Sequence, residues 1–168
     1  MPNYRRMRVP GATYFFTVNL AVPGATALTD HIDLLREVYR ATAVEHPIGC
    51  KAMVILPDHL HAVWTLPAGD ADFSRRWQKI QARFTFATGL RGPQSRSMAG
   101  KREAGLWQRR FWEHMIRNPD EEERAIAHCH SDPVRHGYAE LASDWPFSTL
   151  HRDLRAKVGA APTLRNVA

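Results

Sequence analysis

Hydrophobic and polar positions change period several times along the chain, and each change marks an element. From Thr13 to Leu20 the run TYFFTVNL is aromatic and β-branched and lies between Pro10-Gly11 and Pro23-Gly24, which predicts a first strand. Apolar positions at Ile32, Leu35, Val38, Tyr39 and Thr42 then recur at helical spacing, with Thr29 as the expected N-cap and Pro47-Ile48-Gly49 as the stop. Residues 50–66, CKAMVILPDHLHAVWTL, read as two antiparallel strands turned at Pro57-Asp58. Asp72 or Ser74 opens a second helix, whose stripe of Phe73, Trp77, Ile80, Phe84 and Ala87 ends at Gly89. The segment GPQSRSMAGKREAG, 92–105, has no apolar period and predicts a mobile loop reaching into solvent. Phe111 to Arg117 predicts a fourth strand. Asp120 to Ser131 predicts a third helix, which Pro133 is expected to end because Asp132 before it is pushed out of the α region.

Strand, helix, strand, strand, helix, strand, helix, with no internal repeat, predicts an α+β fold. It is a ferredoxin-like split βαβ sandwich: an antiparallel sheet with helices on one face and an additional C-terminal helix. Residues 1–156 are expected to form a single domain with a basic N-terminal arm and a flexible loop at about 91–106, and 157–168 a tail with little to bury. Charge adds a partner class. Lys+Arg number 23 and Asp+Glu 17, a net charge of +6 over 168 residues, which points to a polyanion. The only cysteines, Cys50 and Cys129, form no C-x-x-C pair, which excludes a disulfide framework. No apolar run approaches the ~18 residues of a membrane span, and no secretory h-region follows the arginine-rich start, so a cytoplasmic location without membrane contact is expected.

The most informative tripeptide is His59-Leu60-His61. On a strand, residues i and i+2 point to one face, so both imidazoles face together while Leu60, Ala62 and Trp64 face the opposite way. If the helices cover the apolar face, the histidines occupy the open face of the sheet, where they offer two nitrogen ligands to a divalent cation. A solvent-facing pair of strand histidines is the plainer alternative.

PDHLHAVW, DFSRRWQKIQARF, GLWQRRFWEHMIRN, HSDPVRHGY and SDWPFSTLHRDL follow one another in this order, and together they resemble the REP-associated tyrosine transposases, relatives of the insertion-sequence single-stranded DNA transposases. The similarity runs from Asn3 to about Arg155. It implies a ferredoxin-like HUH endonuclease that nicks single-stranded DNA at the foot of a REP-type hairpin. In that family the two strand histidines, here His59 and His61, bind Mg²⁺ or Mn²⁺, and a helix tyrosine attacks phosphorus to leave a 5′ phosphotyrosine. A carbonyl or carboxyl side chain one helical turn after the tyrosine completes the metal site. The resemblance implies a DNA partner and favours a monomer, although larger relatives exchange helices in dimers.

Where the family helix reads Tyr-x-x-x-Asn-Pro, this chain reads His128-Cys129-His130-Ser131-Asp132-Pro133. Asp132 is an acceptable replacement, because a carboxylate suits a hard cation better than an amide does. His128 in the catalytic position leaves four readings open: hairpin binding without transesterification, a metal-water phosphodiesterase, a histidine nucleophile, or a substitute in Tyr138. For DNA contact the candidates are Tyr4, Arg5 and Arg6 of the arm; Arg75, Arg76, Lys79 and Arg83 on the second helix; Arg109, Arg110 and Arg117 near the fourth strand; and Arg135 and Trp145. Arg91, Arg96, Lys101 and Arg102 add charge to the loop, and each basic residue is equally readable as a solvated surface group. Salt is expected to weaken binding, whereas cleavage is expected to need a divalent metal.

Overall fold

The structure, a computed structural model, describes residues 7–101 and 103–159. Its elements in chain order are β1 (Thr13–Asn19), α1 (Ala27–Asp30), α2 (Ile32–Glu45), β2 (Gly49–Ile55), β3 (His59–Thr65), α3 (Phe73–Thr88), α4 (Arg96–Gly100), β4 (Trp112–Met115), α5 (Pro119–Arg135) and α6 (Leu150–Gly159), with a 3-10 turn at Ala142–Asp144. The sheet order is β2-β3-β1-β4 with every neighbour antiparallel, the split βαβ arrangement that the element order predicts.

The helices do not all lie on one face. Leu60, Ala62 and Trp64 of β3 join Phe16, Phe73, Trp77, Ile80 and Phe84 in the main core, beneath α2 and α3. Trp64 and Trp77 stack at 4.1 Å. On the other face Ala52, Val54, Val63 and Cys129 form a second core under α5. The histidine face is therefore covered by α5 and not open, and this is why β3 is buried along nearly its whole length.

Local chemistry sets the boundaries. Asp72 accepts from the Arg75 N–H and caps α3, and Gly89, in the left-handed region at φ 67°, ends it. The first helix does not begin at a Thr29 cap. Leu28, fully buried, pins the one-turn α1, and α2 starts after His31 without a side-chain cap. The predicted loop at 92–105 contains α4, capped by Ser95, and is closed at a neck where the Gly92 N–H donates to Ala104. A Cβ at Gly92 would meet the Gly105 carbonyl at 2.1 Å, so glycine is needed there for the close approach.

The largest departure is α5. It runs through Pro133 to Arg135, and Gly137 (φ 73°) stops the chain beyond it. Pro133 lacks the N–H that would bond back toward Cys129, yet both residues are buried, and the packing of α5 on β2 and β3 outweighs the lost bond. The His136 N–H donating to the Asp132 carbonyl (3.0 Å) closes the last turn.

Candidate metal and DNA site

His59 and His61 project from β3 toward α5, and both are buried. Each ring is held from behind. Asp58 Oδ1 lies 2.6 Å from His59 Nδ1, and Thr17 Oγ1, on the paired residue of β1, lies 2.9 Å from His61 Nδ1. This leaves both Nε2 atoms facing the helix, the arrangement in which a carboxylate or hydroxyl orients a ligand imidazole.

Opposite them stands Asp132, 2% exposed. Its Oδ2 is 3.2 Å from His61 Nε2, 3.5 Å from His59 Nε2 and 3.5 Å from His136 Nε2. None of these contacts has hydrogen-bond geometry, so a buried carboxylate oxygen is ringed by nitrogens without a hydrogen bond from the described residues. Burial opposes its ionisation, but the His59 and His61 imidazoles outweigh burial and hold the carboxyl far below the usual range. Burial likewise works to lower the His59 pKa, and the carboxylates of Asp132 and Asp58 overcome it and raise the value. Two donor sets meet at Asp132: His59, Asp132 and His136, and His61, His128 and Asp132. Neighbouring ligands on a small divalent ion with bonds of about 2.1 Å stand roughly 3 Å apart, so the observed donor spacing fits such an ion after small side-chain shifts.

His128 lies one turn before Asp132, with Nε2 3.7 Å from Asp132 Oδ1. It packs edge-on against His61 (4.9 Å) and Phe15 (5.5 Å). Burial first, then the neighbouring His61, lower its pKa. A recess of about 250 Å³ opens beside it between Phe15, Ile116 and Ala125, rimmed by His114, Glu121 and Arg124. Tyr138 is off the helix, stacked on His136 (6.0 Å) and tilted against Trp145 (5.5 Å).

The other candidates divide sharply. Arg76 is not on a basic surface: it is 1% exposed and donates to the Pro47 and Asp72 carbonyls and to Asp70. Lys79 and Arg83 both pair with Glu45 of α2, and only Arg75 of that set is exposed without such a role. All four are on α3, across the sheet from the histidines. Arg109 pairs with Glu103 and Arg117 with Glu121, while Arg110 is exposed. Arg109, Arg110 and Trp112 line a groove at the start of β4, and the Trp112 ring meets Phe15 edge-on at 5.8 Å. Trp145 donates to the Ile55 carbonyl and packs on the second core, a structural placement. Tyr4, Arg5, Arg6 and Arg102 lie outside the described residues.

His136 went unread in the sequence. With the helix expected to stop at Pro133, it fell outside the periodic segment; with α5 continued, it sits four residues after Asp132 and shares its face.

A four-stranded split βαβ sheet carrying a His-x-His strand beneath a helix carboxylate places the chain among the ferredoxin-like HUH proteins. No family model matches the sequence. The chain is 42% identical over 154 residues to the REP-associated tyrosine transposase of Escherichia coli K12, covering 92% of this chain and 86% of the relative. A provisionally named REP-associated tyrosine transposase of Haemophilus influenzae is 38% identical over 159 residues, covering 94% and 90%. A solved REP-associated tyrosine transposase bound to a REP hairpin superposes with a TM-score of 0.83 at 39% identity, covering 100% of this chain and 94% of that one. The chain belongs to the REP-associated tyrosine transposase family.

Proposed function

We propose that this protein binds REP-type hairpin DNA, holds a divalent cation on His59, His61 and Asp132, and lacks the tyrosine that carries covalent strand transfer in its family. The observation that carries the reading is the convergence of imidazole nitrogens on the buried Asp132 Oδ2. Mg²⁺ or Mn²⁺ held there would polarise a phosphate oxygen as a Lewis acid. The residues around it do the rest. Asp58 and Thr17 fix the two rings, α5 excludes water from one side, and the recess beside His128 has the size and aromatic wall to take one unpaired base. Arg110 and the β4 groove offer phosphate contacts on the approach. His128 cannot form a phosphotyrosine, and its ring ends nearer the helix than a phenol would.

The homologous structure contains a REP hairpin, which supports a DNA partner of this type. Among the described residues no helix is long and apolar enough to cross a membrane. A cytoplasmic monomer acting on folded single strands completes the proposal. Fluorescence anisotropy with a labelled REP hairpin and a scrambled, unpaired strand of equal length tests it. The hairpin should bind at least about tenfold more tightly, and equal affinities would contradict the reading. The same hairpin incubated with Mn²⁺ and resolved under denaturing conditions separates the catalytic alternatives. Cleavage without an adduct would favour the phosphodiesterase reading.

A further inference from the structure

Beneath α2, on the side of the sheet opposite His59 and His61, the main core leaves a cavity of about 130 Å³. Leu35 and Tyr39 of α2, Ile55 of β2, Leu60 of β3 and Trp77 and Ile80 of α3 wall it, and the wall is carbon almost throughout. Native interiors keep few voids larger than a water molecule, and an apolar void holds water poorly because a buried water needs several polar partners. A dry apolar cavity of roughly 150 Å³ takes up benzene, so this one has room for a single aromatic ring. Its rim is cationic. Arg36 and Arg40 lie one turn apart on α2, both exposed, with their stems along the edge of the cavity. The Arg36 guanidinium reaches over the Phe147 ring at 5.7 Å. Its carboxylate partner is Asp33, with Nη1 3.4 Å from Oδ1 and the Asp33 side chain 93% exposed, and so hydrated a pair yields readily to another anion. Arg40 donates through Nε to the Arg36 carbonyl (3.3 Å) and pairs with no carboxylate among the described residues.

We infer that this cavity is a binding site for a small aromatic carboxylate, with the ring among Leu60, Trp77 and Ile80 and the carboxylate on Arg36 and Arg40 at the rim. The two parts of the site select the two parts of the ligand. Removing the ring from water supplies most of the affinity, and the guanidiniums decide the sign of the charge that the ring carries. The same ring bearing an ammonium group meets two like charges at the rim, and a fused ring system exceeds the void. The site lies across the sheet from His59 and His61 and is independent of the hairpin and the cation.

Methyl ¹H–¹³C spectra of the full chain, titrated with sodium phenylacetate in the absence of DNA and metal, test the site. Shifts should concentrate on the methyls of Leu35, Ile55, Leu60 and Ile80 and saturate with a dissociation constant of about 1 mM, as expected for a ligand of this size. Phenethylammonium, the same ring with the opposite charge, should bind at least about fivefold more weakly. Arg36→Gln combined with Arg40→Gln, both at exposed positions, should remove that difference. Leu35→Phe, which fills the void from α2, should abolish the shifts at Leu60 and Ile80 while its melting curve shows a folded chain. No shift at these methyls at about 10 mM phenylacetate, or shifts that persist in folded Leu35→Phe, would overturn the site. Equal affinity for phenylacetate and phenethylammonium would overturn the carboxylate as its ligand. The titration of the unaltered protein decides the site even if Leu35→Phe fails to fold.

Discussion

Replacing Arg76 with Met keeps an unbranched apolar stem and removes a charge from the interior. Four hydrogen bonds go with it: Nε and Nη2 to the Pro47 carbonyl, Nη1 to the Asp72 carbonyl and Nη2 to Asp70 at 2.7 Å. These bonds tie the start of α3 to the turn between α2 and β2. Breaking a buried ion pair from one side typically costs about 3–5 kcal/mol. The Asp70 side chain is 35% exposed and can rehydrate, which places the expected loss near the lower end, about 3 kcal/mol. For a chain of this size that corresponds to a melting midpoint lower by about 6–12 °C. Urea denaturation gives the free energy and differential scanning fluorimetry the shift. Arg75→Ala, at the exposed neighbouring position, should stay within about 0.5 kcal/mol of the parent. If Arg76→Met lost less than about 1 kcal/mol while hairpin affinity fell, Arg76 would be a DNA contact after all and its placement as a clamp would be refuted.

Two further predictions concern α2 and the proposed cation site. Glu45 is held by Lys79 and Arg83 with its carboxyl pushed down from 4.5 to about 2, so its stabilisation is complete above the unfolded value and disappears as pH falls toward about 2. Glu45→Gln should therefore flatten the stability profile in that interval, and identical acid unfolding curves for variant and parent would contradict the pairing. Asp132→Ala should weaken Mn²⁺ binding at least about tenfold by electron paramagnetic resonance titration, with His130→Ala, on the face turned to Asp153 of α6, serving as the unaffected control. Unchanged affinity in Asp132→Ala would take the carboxylate out of the cation site.

How far the sequence disclosed this site depended on how local each signal was. The two-residue period of β3 showed that His59 and His61 share a face, and the structure has them together beneath α5 while Leu60, Ala62 and Trp64 enter the main core. The caps of α3 were equally local, because Asp72 and Gly89 act on their own turns. Pro133 misled because a local rule met a tertiary one: the buried Cys129 and Pro133 hold the helix where propensity alone would end it. That single extension carries Arg135 and His136 into the site. Arg76 misled for the complementary reason. Its spacing puts it beside the exposed Arg75, but the turn at Pro47, distant in sequence, closes over it, and only the folded chain brings that acceptor near. The same non-locality hid α6, which Arg152 ties to the Cys50 and Lys51 carbonyls at the start of β2 and His151 to the Trp145 carbonyl after the 3-10 turn.

The central claim is that this family member retains the hairpin and cation site and has lost its nucleophile at one position. His128→Tyr tests it most directly. Protein and variant are incubated with end-labelled REP hairpin and Mn²⁺, and a denaturing gel is read for a protein–DNA adduct. The expected result is no stable adduct with His128 and a phosphotyrosine adduct with His128→Tyr, abolished when His61 is also replaced by Ala. A denaturant-stable adduct formed by the unaltered protein would contradict the claim, as would a His128→Tyr variant that binds hairpin and Mn²⁺ normally but forms none.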